Sequence, residues 1–130
     1  MKLTIDITQD CPLNELMAVK DALEVLSGTW KLPILISLLD GNKRFKQIAK
    51  VVEGISDRML SKELKDLETN KLIKRTIYDT FPPTVEYSVT PHATNLKKVI
   101  GALRDFGKIH RAEIIGKEPS EERVINLVKV

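Results

Sequence analysis

Residues 54–90, GISDRMLSKELKDLETNKLIKRTIYDTFPPTVEYSVT, join a helical pattern to two alternating segments. The leucines of the first half recur at the three- and four-residue spacing that places side chains on one face of a helix. They are Leu60, Leu64 and Leu67. Ser56 is a good N-cap, and Asp57 follows at the positive end of the helix dipole. The pattern predicts a helix over residues 56–70 that buries its leucines and leaves its other faces free.

A hairpin is predicted directly after this helix. Residues 73–79 and residues 84–90 both alternate apolar and polar side chains, which is typical of strands. The loop Thr80-Phe81-Pro82-Pro83 joins them, and its two prolines stiffen the tip. The hairpin therefore spans residues 73–90.

Three helical patterns precede residue 54. The first covers residues 14–26, the second begins near Thr29, and the third covers residues 45–52. Residues 44–45 predict a very short strand before the third helix. A tight turn at residues 53–55 then leads from the third helix into the helix over residues 56–70.

A long helix is predicted after the hairpin, with Thr90 as its N-cap and Pro91 at its first position. Its apolar stripe consists of Leu96, Val99, Ile100, Leu103 and Phe106. The order is then helix, helix, short strand, helix, helix, strand, strand, helix. This is the order of a winged helix-turn-helix: mainly α with a small β-hairpin, a three-helix core plus wing, and flanking helices.

Composition and charge fit one soluble domain that meets a polyanion. The chain has 130 residues, of which 42% are hydrophobic and 30% charged, a balance usual for a globular domain. The net charge of +3 is unevenly distributed, because residues 41–75 carry ten Lys/Arg against five Asp/Glu. Such a concentration of positive charge favours a nucleic-acid partner, whereas a solvated basic face is the bland alternative.

The helix over residues 56–70 is narrow enough to enter the major groove of B-DNA, which is about 12 Å wide. Arg58 has the geometry for a bidentate contact to guanine, and Lys62 and Lys65 suit phosphates. The DNA-binding residues are therefore predicted along this helix, before it and at the wing tip. They are Lys43, Arg44, Lys46, Ser56, Arg58, Met59, Ser61, Lys62, Lys65, Thr80, Phe81, Pro82, Pro83 and Thr84. Winged helices also serve as protein-interaction modules, and that alternative stays open at this point.

The chain resembles the HxlR-type transcriptional regulators, a winged-helix group related to MarR proteins. The matching stretches run in the same order through most of the chain. They are CP at 11–12, LSGTWKLPILISLLDGNKRFKQI at 26–48, GISDRMLSKELKDLETNKLIKR at 54–75 and FPPTVEYSVTPHA at 81–93. The resemblance implies a bacterial homodimer that binds a double-stranded DNA operator. It also implies dimerisation through the first and last helices, with Leu16, Leu96, Val99, Ile100, Leu103 and Phe106 as the candidate interface. The apolar stripe of the last helix is equally consistent with packing in the core of a single subunit. A cytoplasmic protein is predicted separately, because no apolar run is typical of a signal peptide or of a membrane span.

The resemblance also implies two kinds of signal. In some members the cysteine of the Cys-Pro pair senses oxidants, and Cys11 is this chain's one cysteine. The alternative is an inert thiol retained for packing. Related regulators bind small apolar molecules, for which Trp30, Leu35, Tyr87 and Phe106 are candidates, with core packing as the alternative for each.

Other classes of function lack their sequence signals. There is no phosphate loop, dinucleotide fingerprint or nucleophile elbow, so an enzyme is not expected. His92 and His110 have no second ligand at metal spacing, and no cofactor, metal or membrane span is predicted. Residues 11–116 are predicted to form the DNA-binding and dimerisation domain. Residues 1–10 and 117–130 are extensions whose alternating patterns predict strands over 3–8 and 121–130.

Overall fold

The structure, a computed structural model, describes residues 12–116. Cys11 and the strands predicted over residues 3–8 and 121–130 lie outside the described residues. The helices and strands are α1 (Pro12–Leu26), α2 (Lys31–Leu39), α3 (Phe45–Val51), α4 (Asp57–Thr69), β1 (Ile73–Tyr78), β2 (Thr84–Val89) and α5 (Leu96–Ile115). The predicted fold class, a mainly helical winged helix-turn-helix with one hairpin, is confirmed. The chain divides into two compact units, and the boundary lies between Ala93 and Thr94.

The core of the first unit lies among α2, α3, α4 and β1. Its fully buried side chains are Ile34, Leu35, Leu38, Ile48, Leu60, Leu64, Leu67 and Ile73. Burying one such side chain contributes about 2 kcal/mol to folding. The three leucines of α4 are the ones that the sequence pattern places on a single face, so α4 is held in this core by that face.

The turn between α3 and α4 depends on Gly54. Its φ of +90° lies in the left-handed region, which residues with a Cβ adopt only with strain. Ser56 then caps α4, because its Oγ accepts a hydrogen bond from the Met59 N–H at 3.1 Å. The turn and the cap together set the orientation of α4 relative to α3.

The C-terminus of α4 joins the wing without a flexible linker. The Leu72 N–H donates to the Leu67 carbonyl at 3.0 Å and the Lys71 N–H donates to the Glu68 carbonyl at 2.9 Å, the pattern of a Schellman motif. Lys71 takes the left-handed conformation (φ 63°) that this motif requires. Thr90 closes the other end of the wing: its N–H donates to the Leu72 carbonyl at 3.0 Å and its hydroxyl donates to the Lys71 carbonyl at 2.8 Å.

β1 and β2 pair antiparallel in the register Ile73↔Val89 to Tyr78↔Thr84. Ile73 is buried at the base of this wing, whereas Ile77 is 60% exposed because the hairpin extends beyond the core. The short strand predicted at residues 44–45 does not form, and an isolated β-bridge at Lys43 takes its place beside β2. Lys43 and Tyr87 exchange two backbone hydrogen bonds, at 3.1 and 2.8 Å.

The predicted start of the long helix is wrong. A 3-10 turn over His92–Asn95 comes first, and the α-helix begins at Leu96. Thr90 is a cap as expected, since its Oγ1 accepts from the Ala93 N–H at 3.1 Å, but it caps this turn. Its other hydrogen bonds tie Thr90 to the base of the wing, and the regular helix starts only after the turn. α5, in the second unit, contains no buried residue.

Candidate nucleic-acid interface

The outward face of α4 is cationic. At about 100° per residue, the side of the helix opposite the buried leucines carries Arg58, Lys62 and Lys65. Arg58 and Lys65 are exposed, and neither makes an ion pair or hydrogen bond with any residue in the described part of the chain. Their charges are therefore available to a ligand outside the subunit.

The cationic character is a property of this face and not of the whole helix. α4 contains four acidic and three basic residues. The carboxylates of Glu63, Asp66 and Glu68 lie on the flanks or the inner side, within 4.0 Å of basic groups. Lys62 has the longer contacts, 3.6 Å to Asp66 and 3.9 Å to Glu63, and its side chain stays 64% exposed. These three paired carboxylates thus flank a basic ridge of Arg58, Lys62 and Lys65, of which Arg58 and Lys65 have no partner among the described residues.

A buried ion pair fixes the inner side of α4. Lys31 at the start of α2 places its Nζ 2.6 Å from Glu63 Oε1, and the two side chains are only 12% and 10% exposed. Asp66 lies 3.7 Å from the same Nζ. Sequence reasoning missed this pair, although one signal was present, since Glu63 interrupts the leucine face of the helix. The pair connects α2 to the helix that carries the basic ridge.

The basic residues before α3 have different surroundings. Lys43 turns towards its own subunit: its Nζ donates to the Ser37 carbonyl at 2.7 Å and lies 3.6 Å from Asp40. These contacts satisfy carbonyl groups at the C-terminus of α2, and the side chain is only 15% exposed. Arg44 and Lys46 are exposed, and the Arg44 backbone N–H donates to Gln47 Oε1 at 2.8 Å, which caps α3. The expected contact of Lys43 with DNA stays a prediction, and the contacts described here give this lysine a structural role.

The wing tip is organised by hydroxyl groups. Thr80 Oγ1 donates to the Pro82 carbonyl at 2.7 Å and lies 2.8 Å from Thr84 Oγ1. Phe81 between them is fully exposed, and the Phe81–Pro82 peptide bond is cis. On the adjoining strands, the hydrogen bond from the Tyr78 hydroxyl to Glu86 raises the pKa of Tyr78, with the charge of Glu86 acting in the same direction. The tip therefore presents an exposed aromatic ring on a compact loop.

A cleft of about 210 Å³ lies between α4 and the base of the wing. We call it the helix–wing cleft; it is lined by Ser61, Leu64, Lys65, Glu68, Arg75 and Tyr87. Arg75 Nε is 4.0 Å from Glu68 Oε1, a long contact between half-exposed side chains. Burial raises the pKa of Tyr87, the Arg75 charge opposes this shift, and the Glu68 charge adds to it. Sequence reasoning assigned no site role to Arg75 or Glu68.

The residues suggested for an apolar effector pocket have separate environments. Leu35 is 1% exposed in the core, and Tyr87 lines the helix–wing cleft. Phe106 belongs to the second unit and is 63% exposed, with its ring stacked on His110 at a centroid distance of 5.7 Å. The effector pocket stays a prediction.

Two helices carry exposed apolar faces. Large apolar side chains on α1 and α5 are 41% to 71% exposed, although such residues are normally covered in a soluble protein. On α1 they are Leu16, Met17, Val19 and Leu23, and on α5 they are Val99, Leu103, Phe106, Ile109, Ile114 and Ile115. The other two predicted interface residues, Leu96 and Ile100, are half-buried. Faces of this kind mark surfaces that bind another protein.

Within residues 12–116, no group of His, Cys, Asp and Glu side chains is arranged to hold a metal ion. In the same part of the chain, no single helix is long and apolar enough to cross a membrane. Only α1 and α2 together pass that test, as a pair bent by 81°. α2 is a core helix, and such helices pass the same test.

Comparison with known proteins identifies the same motif. The family model described as HxlR-like helix-turn-helix matches residues 25–114. The "uncharacterized HTH-type transcriptional regulator YdeP" of Bacillus subtilis is 37% identical over 117 residues, which cover 87% of this chain and 87% of that protein.

Solved structures of regulators are also similar. The redox regulator HypR in its reduced form superposes with a TM-score of 0.71 at 30% identity, covering 76% of this chain and 98% of that chain. The reduced form of the transcriptional regulator YodB from B. subtilis gives a TM-score of 0.66 at 32% identity, covering 70% and 89% of the two chains. The diamide-treated form of YodB gives 0.61 at 33% identity, with 67% and 86% covered.

Proposed function

The chain belongs to the HxlR-like helix-turn-helix family of transcriptional regulators, which are not enzymes, and from this premise we propose that it is a homodimer that binds a specific double-stranded DNA operator. In each subunit α4 enters the major groove, and the wing lies on the flanking groove or backbone. The protein acts in the cytoplasm and needs no cofactor.

The observation that carries this proposal is the basic ridge of α4. Arg58 lies in the first turns of the helix, the part that meets base edges in other helix-turn-helix proteins. Its guanidinium can form two hydrogen bonds with one guanine, whereas Lys62 and Lys65 suit phosphate oxygens. Ser56, Met59 and Ser61 complete the surface beside these cations, with Met59 half-buried and the two serines exposed.

The remaining contacts lie on either side of α4. Arg44 and Lys46 are exposed before α3 and are assigned to the phosphate backbone. The wing tip has no Lys or Arg, so its contribution is the apolar surface of Phe81 and the hydroxyl groups of Thr80 and Thr84. Such a tip fits against the sugars and bases of a minor groove.

Dimerisation is supported by the apolar faces of α1 and α5. Covering those faces with the same faces of a second copy gives a two-fold interface. Two copies of α4 then meet half-sites about 34 Å apart, so the operator is expected to be a near-palindrome.

The alternative function is a winged-helix module that binds another protein. The exposed apolar faces favour that function as much as they favour a dimer. Duplex binding whose affinity falls steeply as salt rises distinguishes the two, because phosphate contacts release counterions. Duplex selection from a random pool therefore decides between them.

Arg58→Ala and Lys65→Ala are expected to affect binding differently. Loss of Arg58 should relax the preference at one base position, since a bidentate contact discriminates by about 1–3 kcal/mol. Loss of Lys65 should weaken binding to all duplexes alike and lower the salt dependence by about one counterion. Fluorescence anisotropy on a selected operator and on an unrelated duplex, across a salt series, measures both effects.

Lys108→Gln is a suitable control for this pair, because it also removes one positive charge, and Lys108 is an exposed residue of α5 outside the proposed DNA surface. The proposal fails if no duplex is enriched from the random pool. The assignment of α4 as the DNA-binding helix is wrong if both variants bind the selected operator with the parent's affinity, specificity and salt slope.

Cys11 is proposed as an oxidant sensor on the basis of the similarity to HypR and YodB. Because it is the one cysteine of the chain, diamide could link two subunits by taking one electron from each Cys11 thiolate and forming an intersubunit disulfide. We expect diamide to weaken operator binding and Cys11→Ser to bind equally with and without it. Gel-shift affinity and non-reducing electrophoresis measure the two steps, and an unchanged affinity of the treated parent would leave Cys11 as an inert thiol.

A further inference from the structure

We propose that the helix–wing cleft binds one phosphate of the DNA backbone, on the strand that separates the groove occupied by α4 from the groove beside the wing. This inference rests on the proposed function and adds to it a contact formed by Arg75, Tyr87, Ser61 and Lys65. The sequence pattern and the family match leave Arg75 and Tyr87 without a role in DNA binding.

The position of the cleft follows from the shape of B-DNA. A sugar–phosphate backbone always separates a major groove from the adjacent minor groove. If α4 lies in one groove and the wing lies on the next, that backbone must pass between α4 and the wing. The surface between them is the helix–wing cleft, and Lys65 belongs both to its lining and to the basic ridge.

The lining has the donors that a phosphate requires. Arg75 and Lys65 supply positive charge, and the guanidinium fork matches two phosphate oxygens. Ser61 and Tyr87 add hydroxyl groups, and within residues 12–116 neither hydroxyl makes a hydrogen bond. A tyrosine hydroxyl is protonated at neutral pH, so Tyr87 can donate to a phosphate oxygen.

Glu68 is the one carboxylate among the six lining residues. Because of its negative charge, removing it is expected to change DNA affinity in the opposite direction from removing Arg75. Glu68 Oε1 is 4.0 Å from Arg75 Nε, which is too long for a hydrogen bond. In this position Glu68 attracts the guanidinium electrostatically, and no hydrogen bond within residues 12–116 occupies its N–H groups. A phosphate entering the cleft competes with Glu68 for Arg75, and the carboxylate repels it.

The test is DNA binding by three full-length variants. Arg75→Gln should weaken binding to the selected operator and to an unrelated duplex by about tenfold, because it removes a charge-assisted contact. The slope of log affinity against log salt should fall by about 0.9, the value for one phosphate. Tyr87→Phe should weaken both duplexes about threefold. Glu68→Gln should strengthen both about threefold, because it removes the competing charge.

Lys74→Gln is the matched control, since it removes the same charge from the adjacent position of β1, on the opposite face of the strand. It should change affinity less than Arg75→Gln does. The rise expected for Glu68→Gln keeps the proposal testable even if Arg75→Gln folds poorly, because unfolding cannot raise affinity.

Neutral methylphosphonate linkages identify the phosphate directly. Placed one at a time along the selected operator, one linkage in each half-site should weaken binding of the parent while leaving Arg75→Gln unaffected. If no linkage behaves in this way, the cleft takes a free anion or none, and the proposal is wrong.

The proposal is also overturned if Arg75→Gln and Tyr87→Phe bind as the parent does and Glu68→Gln gives no increase. The proposed function would still stand in that case if the parent discriminates between duplexes and the Arg58→Ala variant does not. A parent that binds no duplex would instead remove the proposed function itself.

Discussion

Lys31→Met is expected to destabilise the protein by about 3 kcal/mol. It leaves the Glu63 carboxylate 10% exposed and without its 2.6 Å partner. Breaking a buried ion pair by removing one partner typically costs about 3–5 kcal/mol, and the nearby Lys62 places this case at the lower end. Urea unfolding followed by circular dichroism measures the change, with all variants at one protein concentration because an oligomer's stability depends on it.

Two further variants separate burial from loss of charge. Lys62→Met removes the same charge from an exposed lysine that contacts the same two carboxylates, and it should cost less than about 1 kcal/mol. Lys31→Met combined with Glu63→Met should regain most of the lost stability, since apolar residues of similar size replace a buried pair at little cost. An equal loss in Lys31→Met and Lys62→Met would show that the pair contributes no more than a surface contact.

Leu103→Glu is expected to give a monomer whose affinity for the full operator falls by about 100-fold or more. Linking two binding modules raises affinity by about 10²–10⁴, and a monomer loses that gain. Leu103 is 50% exposed and α5 contains no buried residue, so the substitution removes no core contact within the described chain. Sedimentation velocity gives the oligomeric state, and anisotropy on the full operator and on a half-site gives the affinity.

Lys108→Gln is the control for this variant. It also lowers the net charge by one and lies on α5 opposite the stripe that contains Leu103. It should remain a dimer and bind the operator as the parent does. A dimeric Leu103→Glu variant with unchanged affinity would show that the α5 face does not hold two copies together.

The elements predicted correctly from the sequence are those that depend on local residue patterns. The leucine spacing predicts α4 and its buried face, Ser56 predicts the N-cap directly before it, and two alternating segments predict the wing. Each of these signals needs only neighbours within about eight residues. The start of α5 was predicted wrongly for the opposite reason, because Thr90 is tied to Lys71 and Leu72 across the wing.

The parts of the site that the sequence did not reveal depend on tertiary contacts. Lys31 and Glu63 are 32 residues apart, and nothing in the local pattern of either helix pairs them. Lys43 looks like any other basic residue in a basic stretch, yet its ammonium group turns towards carbonyl groups of its own subunit. Arg75 and Tyr87 share a cleft with α4 because the strand register places them opposite each other.

The closure of the wing by Thr90 has a consequence for association kinetics. Both ends of the hairpin are hydrogen-bonded to each other directly after α4, so in the proposed complex the helix and the wing would reach the duplex as one preorganised body. The conformational entropy lost in ordering the wing then belongs to folding of the subunit and not to encounter with DNA. Removing the Thr90 hydroxyl should therefore slow productive docking more than it speeds dissociation, while leaving the bases that are read unchanged.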